Sequence, residues 1–209
     1  MSQLVDPRVV VNPAQARQLL AAVTYVRAHR RRDRERGRWL YAFFACLYYG
    51  GLRPGEAQQL RRVDCQLAAD GWGELLLTGS RSEVSGRYYA PRGARHHERP
   101  LKRRNPAEVR PVPIPPVLVA ILREHLAEFG TSPDGRLFFG VESGENVPIA
   151  VYTRIWQQAR EIGLSPVQVA SPLAVAPTTC GTPRCRAGWL PGCPQLRSLS
   201  APGTPSRCC

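Results

Sequence analysis

The sequence has almost no lysine and no apolar run of membrane length. Lys102 is its one lysine among 29 Lys+Arg residues, so the formal net charge of +13 rests on arginine. The longest apolar run, Leu40–Tyr49, is far shorter than the ~20 residues that a membrane-spanning helix needs. The N-terminal residues also lack the apolar stretch of a secretory signal. These absences argue against membrane and secreted classes and favour a cytoplasmic protein with an anionic partner.

Lysine and acidic residues are both absent after Glu161, where Pro, Gly, Ser, Thr, Arg and Cys dominate. This segment holds most of the cysteines, including Cys180, Cys185 and Cys193. Their spacing matches no paired zinc module and no histidine lies near them, which argues against a zinc site. A disulfide framework needs an oxidising compartment, for which the sequence carries no signal. We therefore predict neither a metal site nor a fold for this segment.

The rest of the chain predicts a mainly helical α+β domain with a small antiparallel sheet. Helical spacing of apolar residues, with suitable starting residues, predicts helices at 12 to about 34, 39–49, from 54, 116 to about 129, and 148–162. Residues 73–77 and 109–114 predict strands, and the prolines of the second strand favour a sheet edge. The polar, basic segment 79–108 predicts a long loop or a hairpin.

Several short motifs follow one another along the chain. They are Gly50–Ala57 (GGLRPGEA), Leu60–Asp64, Leu101–Arg103, Val109–Pro115 and Leu137–Phe138. Alone, GLRPGE could be a capped helix connection with Arg53 as a salt-bridge partner. As an ordered set, the motifs resemble the catalytic domain of the tyrosine recombinase (phage integrase) family over roughly residues 12 to 174. The resemblance is greatest to the integrases of actinobacterial mobile elements.

This resemblance implies DNA strand exchange through a 3′-phosphotyrosyl intermediate, with no metal and no nucleotide cofactor. It implies that Arg53 holds the scissile phosphate, that Glu56 steadies the cations of the active site, and that Lys102 protonates the leaving 5′ oxygen. A guanidinium can contact two phosphate oxygens at once. The pKa of arginine is too high for a general acid, which fits a single lysine among many arginines.

Two basic segments, 27–38 and 92–104, are candidates for contacts with DNA phosphates. The arginines proposed for this role are Arg30, Arg31, Arg32, Arg95, Arg99, Arg103 and Arg104. By default such a run of charges is a solvated face. His96 and His97 are expected to be solvated or phosphate-facing rather than metal ligands. The resemblance also implies duplex DNA as partner, a homo-oligomer on DNA, and a nucleoid-associated location in a bacterial cytoplasm.

The resemblance ends after Ala174. The family continues with a His-x-x-Arg box, a Gly-His motif and the nucleophilic tyrosine, none of which occurs in residues 175–209. If the reading frame is shifted back by one nucleotide, codons that specify Pro177–Thr182 can encode His-Asp-Leu-Arg-His. In the same shifted frame, codons that specify Ala201–Pro205 can encode Ala-Gly-His-Ser. We therefore predict a partial catalytic domain over residues 1–174 and an unstructured tail over 175–209, translated out of frame.

Without its nucleophile, such a domain cannot perform covalent strand exchange. The sequence thus predicts an integrase-family protein that lacks cleavage activity. One alternative is a DNA-binding module that tolerates many sequences and performs no chemistry. The other is an inert pseudogene product that folds poorly. The family's DNA-clamping domain does not precede residue 12, so we expect truncation at both ends.

Overall fold

The computed structural model describes residues 9–26, 36–83, 96–99, 109–140 and 144–177. Its helices are α1 (Pro13–Tyr25), α2 (Arg36–Tyr49), α3 (Pro54–Gln59), α4 (Pro116–Phe129), α5 (Ile149–Gly163) and α6 (Pro166–Ala170). Its strands are β1 (Cys65–Gln66), β2 (Gly73–Leu77), β3 (Ser80–Glu83), β4 (His96–Arg99) and β5 (Arg110–Ile114). The predicted α+β class, mainly helical with a small antiparallel sheet, is confirmed. None of the helices in these ranges is long and apolar enough to cross a membrane.

Helix α2 lies at the centre of the core. Leu40, Phe43, Phe44 and Leu47 are all fully buried or nearly so, because α1 and α4 both pack against this helix. The ring of Phe44 also contacts Trp156 of α5, with 5.0 Å between ring centroids. Cover on several sides explains why the sequence of α2 is apolar almost all round instead of carrying one apolar stripe.

Helix α1 ends earlier than predicted, at Tyr25 instead of about residue 34. Val26 is extended, and its N–H donates to the carbonyl of Val23. Gly37 of α2 packs directly against this end, since a Cβ there would lie 2.1 Å from the Val23 carbonyl oxygen. The close approach of α2 therefore occupies the space into which α1 would continue. Residues 27–35 lie outside the described ranges.

Strand β2 is the central strand of a three-stranded antiparallel sheet with β1 and β5 on its two sides. Strand β5 is at an edge, as its prolines predict. Its register pairs Arg110 with Leu77 and Ile114 with Gly73. Strands β3 and β4 form a separate antiparallel pair, which supports the hairpin alternative for segment 79–108.

The chain after Glu161 contains a helix that its sequence pattern did not predict. Ser165 caps α6 by accepting from the Gln168 N–H, and the Gln168 side chain accepts from the Ser165 N–H at 3.0 Å. This is a capping box, for which the Ser-Pro-Val-Gln sequence is a recognisable signal. Leu173 and Ala174 beyond it are buried. The expectation of no fold after Glu161 was therefore wrong for α6 and for the chain up to Ala174, and residues 178–209 lie outside the described part.

Candidate functional site

The connection between α2 and α3 sets the position of the first candidate residue. The N–H groups of Gly50 and Leu52 both donate to the carbonyl of Cys46. Between them, Gly51 has a φ of +60°, a left-handed conformation that costs glycine little. Leu52 is then buried in the core. This turn thus ends α2, and α3 begins directly after Arg53.

Arg53 presents an exposed guanidinium from a fixed backbone. Its backbone is extended before Pro54, and its N–H donates to Oε2 of Glu56 at 2.9 Å. Its side chain is 62% exposed, and Nη1 lies 3.6 Å from Oε1 of Glu56. That distance allows charge attraction but exceeds a hydrogen bond of normal length. The N–H groups of this guanidinium therefore remain accessible to an anion from solvent.

Glu56 is a buried carboxylate shared by two arginines. Its side chain is only 4% exposed, and Oε2 also accepts a hydrogen bond from Nη2 of Arg110 at 2.8 Å. Arg110 comes from β5, so the sheet and α3 meet at this carboxylate. A buried charge is tolerated only when it is paired and hydrogen-bonded. The exposed guanidinium of Arg53, which lies farther from this carboxylate than that of Arg110, can attract a phosphate.

The structure brings Arg53 and Glu56 together, whereas the other candidates lie outside what it describes. The implied roles of Arg53 and Glu56 remain predictions. Arg99 belongs to β4 by its backbone, and its side chain is not described. The remaining candidates outside the described residues are Lys102, Arg30, Arg31, Arg32, Arg95, Arg103 and Arg104.

Arg110 is not among the residues that the sequence predicts for the site. A signal for it exists in the alternation of β5. Val112 and Ile114 are buried, and residues two apart in a strand share a face. Arg110 therefore belongs to the core-facing side of the strand. An arginine on such a face requires a buried acidic partner, and Glu56 is that partner.

The buried guanidinium of Arg136 is the centre of a second cluster. Its guanidinium donates to Asp134 at 2.6 Å, to Asn146 at 3.0 Å and to the Gly144 carbonyl at 2.7 Å. Arg81 of β3 lies 3.8 Å from the same Asp134 carboxylate. These contacts join the turn at residues 132–136 to the chain around residue 145. The N–H donors of Arg136 that they engage are directed at the protein itself.

Arg160 of α5 holds the chain after α6 in place. It donates to the carbonyls of Leu173 at 3.1 Å, Val169 at 3.0 Å and Ser171 at 3.3 Å. The indole of Trp156 donates to the carbonyl of Ala174 at 2.7 Å. A single buried side chain therefore satisfies backbone acceptors in the last turn of α6 and in the chain that follows it.

The described cysteines do not form a reactive or metal-binding centre. Cys46 and Cys65 are buried thiols. Burial raises the pKa of Cys46 well above its usual value, and it raises that of Cys65 to about 12. Both remain protonated at neutral pH, and the thiolate is the reactive form. Within the described ranges, no three His, Cys, Asp or Glu side chains are grouped to hold a metal ion.

Comparison with known proteins gives matches among solved structures. No protein-family model and no curated protein sequence matches the chain. The integrase of transposon Tn1549, in complex with transposon right end DNA, matches 87% of this chain with a TM-score of 0.58 and 14% identity. The XerH site-specific recombinase bound to palindromic difH substrate matches 86% of it, with a TM-score of 0.53 and 16% identity.

Both of these proteins are tyrosine recombinases. The chain therefore has the fold of a tyrosine recombinase catalytic domain, as its motifs predict. It spans 53% of the length of the Tn1549 integrase structure and 41% of that of XerH. At this level of identity the likeness establishes the fold alone.

Proposed function

We propose that this protein binds duplex DNA as a member of the site-specific recombinase class, with Arg53 contacting a backbone phosphate. The observation that carries the proposal is the exposed guanidinium of Arg53, whose backbone N–H is fixed by the buried carboxylate of Glu56. The net charge of +13 favours a polyanionic partner. The fold adds support, because the Tn1549 integrase and XerH structures are complexes with DNA.

We further propose that this chain does not cleave DNA. Residues 175–209 contain no tyrosine and no histidine, and covalent strand exchange requires a nucleophile. The boundary that we assign to the catalytic-domain sequence is residue 174. The hydrogen bonds from Arg160 to Leu173 and from Trp156 to Ala174 support a boundary no earlier than this. A tail translated out of frame after Ala174 explains the loss of the family's later motifs.

DNA binding is tested by fluorescence anisotropy with a labelled duplex of mixed sequence. We expect saturable binding whose logarithmic affinity falls linearly with the logarithm of the salt concentration between about 50 and 200 mM. Absence of binding at the low-salt end would contradict the proposal.

The proposal that this chain does not cleave DNA is tested with randomly nicked plasmid DNA, which is incubated with the protein and probed for SDS-resistant adducts. We expect no adduct, and a covalent protein–DNA product would overturn it.

The frame of the gene is tested by its nucleotide sequence from Leu173 to Cys209. Read one nucleotide earlier, it should encode a His-x-x-Arg box and, further on, a Gly-His motif. If those codons are absent, the out-of-frame explanation is wrong.

The second candidate function, an inert remnant, rests on the same missing motifs. A cooperative thermal transition by circular dichroism argues for the folded DNA-binding protein, and its absence argues for the remnant.

A further inference from the structure

A second arginine is held by the same carboxylate that fixes Arg53. Oε2 of Glu56 accepts from the Arg53 N–H at 2.9 Å and from Nη2 of Arg110 at 2.8 Å. Both distances are those of normal charge-assisted hydrogen bonds. The second carboxylate oxygen, Oε1, lies 3.6 Å from the Arg53 guanidinium. Arg110 therefore makes the close guanidinium contact with Glu56, and the Arg53 guanidinium does not.

Arg110 also connects this carboxylate to the three-stranded sheet. Strand β5 pairs with β2 along its whole length, and Arg110 lies opposite Leu77 in that register. The Leu77 side chain is buried, so the strand is anchored in the core at this point. A charge-assisted hydrogen bond from such a strand limits the orientations open to the Glu56 carboxylate. The orientation of Glu56 in turn sets where the N–H of Arg53 can lie.

The charges around Glu56 also link Arg110 to the position of the Arg53 guanidinium. With Arg110 in place, Glu56 already has a guanidinium partner at hydrogen-bond distance. If Arg110 lost its charge, the buried carboxylate would lack that partner, and the Arg53 guanidinium, 3.6 Å away, could replace it. Movement of Arg53 onto Glu56 would satisfy the carboxylate. It would also remove the donors that an incoming phosphate needs.

We propose that Arg110 is a positioning residue, which saturates the Glu56 carboxylate and thereby keeps the Arg53 guanidinium available for phosphate. This inference rests on the proposed function, because it assumes that Arg53 binds DNA phosphate. Arg110 acts through Glu56, and it needs no contact of its own with DNA.

The first test is a double-mutant cycle in the anisotropy assay, with Arg53→Gln, Arg110→Gln and the double variant. We expect Arg110→Gln to weaken binding about tenfold and the double variant to match Arg53→Gln within about twofold, because the two residues act as one unit. Arg123→Gln removes the same charge from α4, where the side chain donates to the carbonyls of Ala68 and Ala69, and it serves as the control. Wild-type affinity in Arg110→Gln, or additive losses in the double variant, would overturn the proposal.

Rescue by the conservative variant separates positioning from general structural damage. Arg110→Lys keeps a cation that can reach Glu56, so we expect affinity within about threefold of wild type. This variant also carries the test if Arg110→Gln does not fold. A folded Arg110→Lys protein that loses as much affinity as Arg53→Gln would contradict the account.

Amide hydrogen exchange tests the same inference without DNA. The Arg53 N–H is the donor to Glu56, so we expect Arg110→Gln to raise its exchange rate about tenfold while Arg123→Gln leaves it unchanged. Unchanged exchange at Arg53 in the Arg110 variant would overturn the positioning role. Failure of the wild-type protein to bind DNA, with exchange at Arg53 raised as expected, would instead contradict the proposed function alone.

Discussion

Arg53 and Arg160 are two arginines of one fold that use their guanidinium groups in opposite ways. Arg160 is 5% exposed and donates to the backbone carbonyls of Leu173, Val169 and Ser171. The Arg53 side chain is 62% exposed, and its guanidinium lies 3.6 Å from the carboxylate of Glu56. The first group has used its donors within the protein, and the second still has donors to offer.

This difference separates structural from functional arginine in an arginine-rich chain. The net charge of +13 by itself cannot say which side chains meet a ligand. A guanidinium surrounded by its own chain's acceptors stabilises the fold, and its loss leaves those acceptors unsatisfied. A guanidinium attached to a rigid backbone, with solvent on its other side, can bind an anion at little cost in ordering.

The largest effect is expected from Arg160→Met, which removes the charged donor but keeps an extended apolar side chain. One buried and two partly buried carbonyls lose their partner, so we expect the free energy of unfolding to fall by about 3 kcal/mol. Urea denaturation measures it, with Arg154→Met on the exposed side of the same helix as control, expected to lie within about 0.5 kcal/mol of wild type. If Arg160→Met is as stable as its control, Arg160 does not have the structural role described.

Arg53→Gln should weaken DNA binding and leave the stability of the fold nearly unchanged. We expect the dissociation constant for duplex DNA to rise about tenfold, the loss of one charge-assisted contact. The free energy of unfolding should change by less than about 0.5 kcal/mol, because the side chain is exposed and the backbone N–H that donates to Glu56 is retained. Anisotropy and urea denaturation on the same preparations measure both. Lower stability with unchanged DNA affinity would reverse the assignment of Arg53 and make it structural.

A smaller, pH-dependent effect is expected in the Arg136 cluster. Burial raises the pKa of the Asp134 carboxyl, but hydrogen bonds from Ser132 and Arg136 and the Arg136 charge outweigh it and lower that pKa to about 2. The ionised carboxylate thus contributes stability above about pH 4, the usual range of an unfolded aspartate, and this contribution is lost as the pH falls toward 2.

The side chain of Asp134 is 41% exposed, so solvent screening limits the contribution to about 1 kcal/mol or less. Denaturation midpoints of wild type and Asp134→Asn should differ at pH 5 and converge near pH 2. A difference that stays constant across this range would show that the Asp134 charge has no part in the cluster.

The sequence predicted correctly those features of the fold that depend on neighbouring residues in the chain. Asn12 and Pro13 marked the start of α1, Gly50 and Gly51 marked the end of α2, and the prolines of β5 marked a sheet edge. The early end of α1 depends on the approach of Gly37 from another helix, a tertiary contact that no local pattern contains. The short α6 was missed because its capping box lies in a segment whose composition suggested no fold.

The candidate site likewise combines residues that a local pattern predicts with one that depends on a tertiary contact. Arg53 and Glu56 are three residues apart at the start of one helix, so a sequence motif can include both. Arg110 reaches Glu56 from a strand far along the chain, and this pairing depends on how β5 and α3 pack. The inward side of Arg110 follows from strand alternation once Val112 and Ile114 are known to be buried, but only the three-dimensional arrangement identifies which carboxylate it meets.

The central claim, that Arg53 offers its charge to a DNA phosphate, is tested most directly by the salt dependence of DNA binding. The slope of logarithmic affinity against logarithmic salt concentration counts the phosphates that the protein neutralises. Arg53→Gln should reduce the magnitude of this slope by about one unit relative to wild type, and Arg123→Gln should leave it unchanged. Identical slopes for wild type and Arg53→Gln would contradict the account.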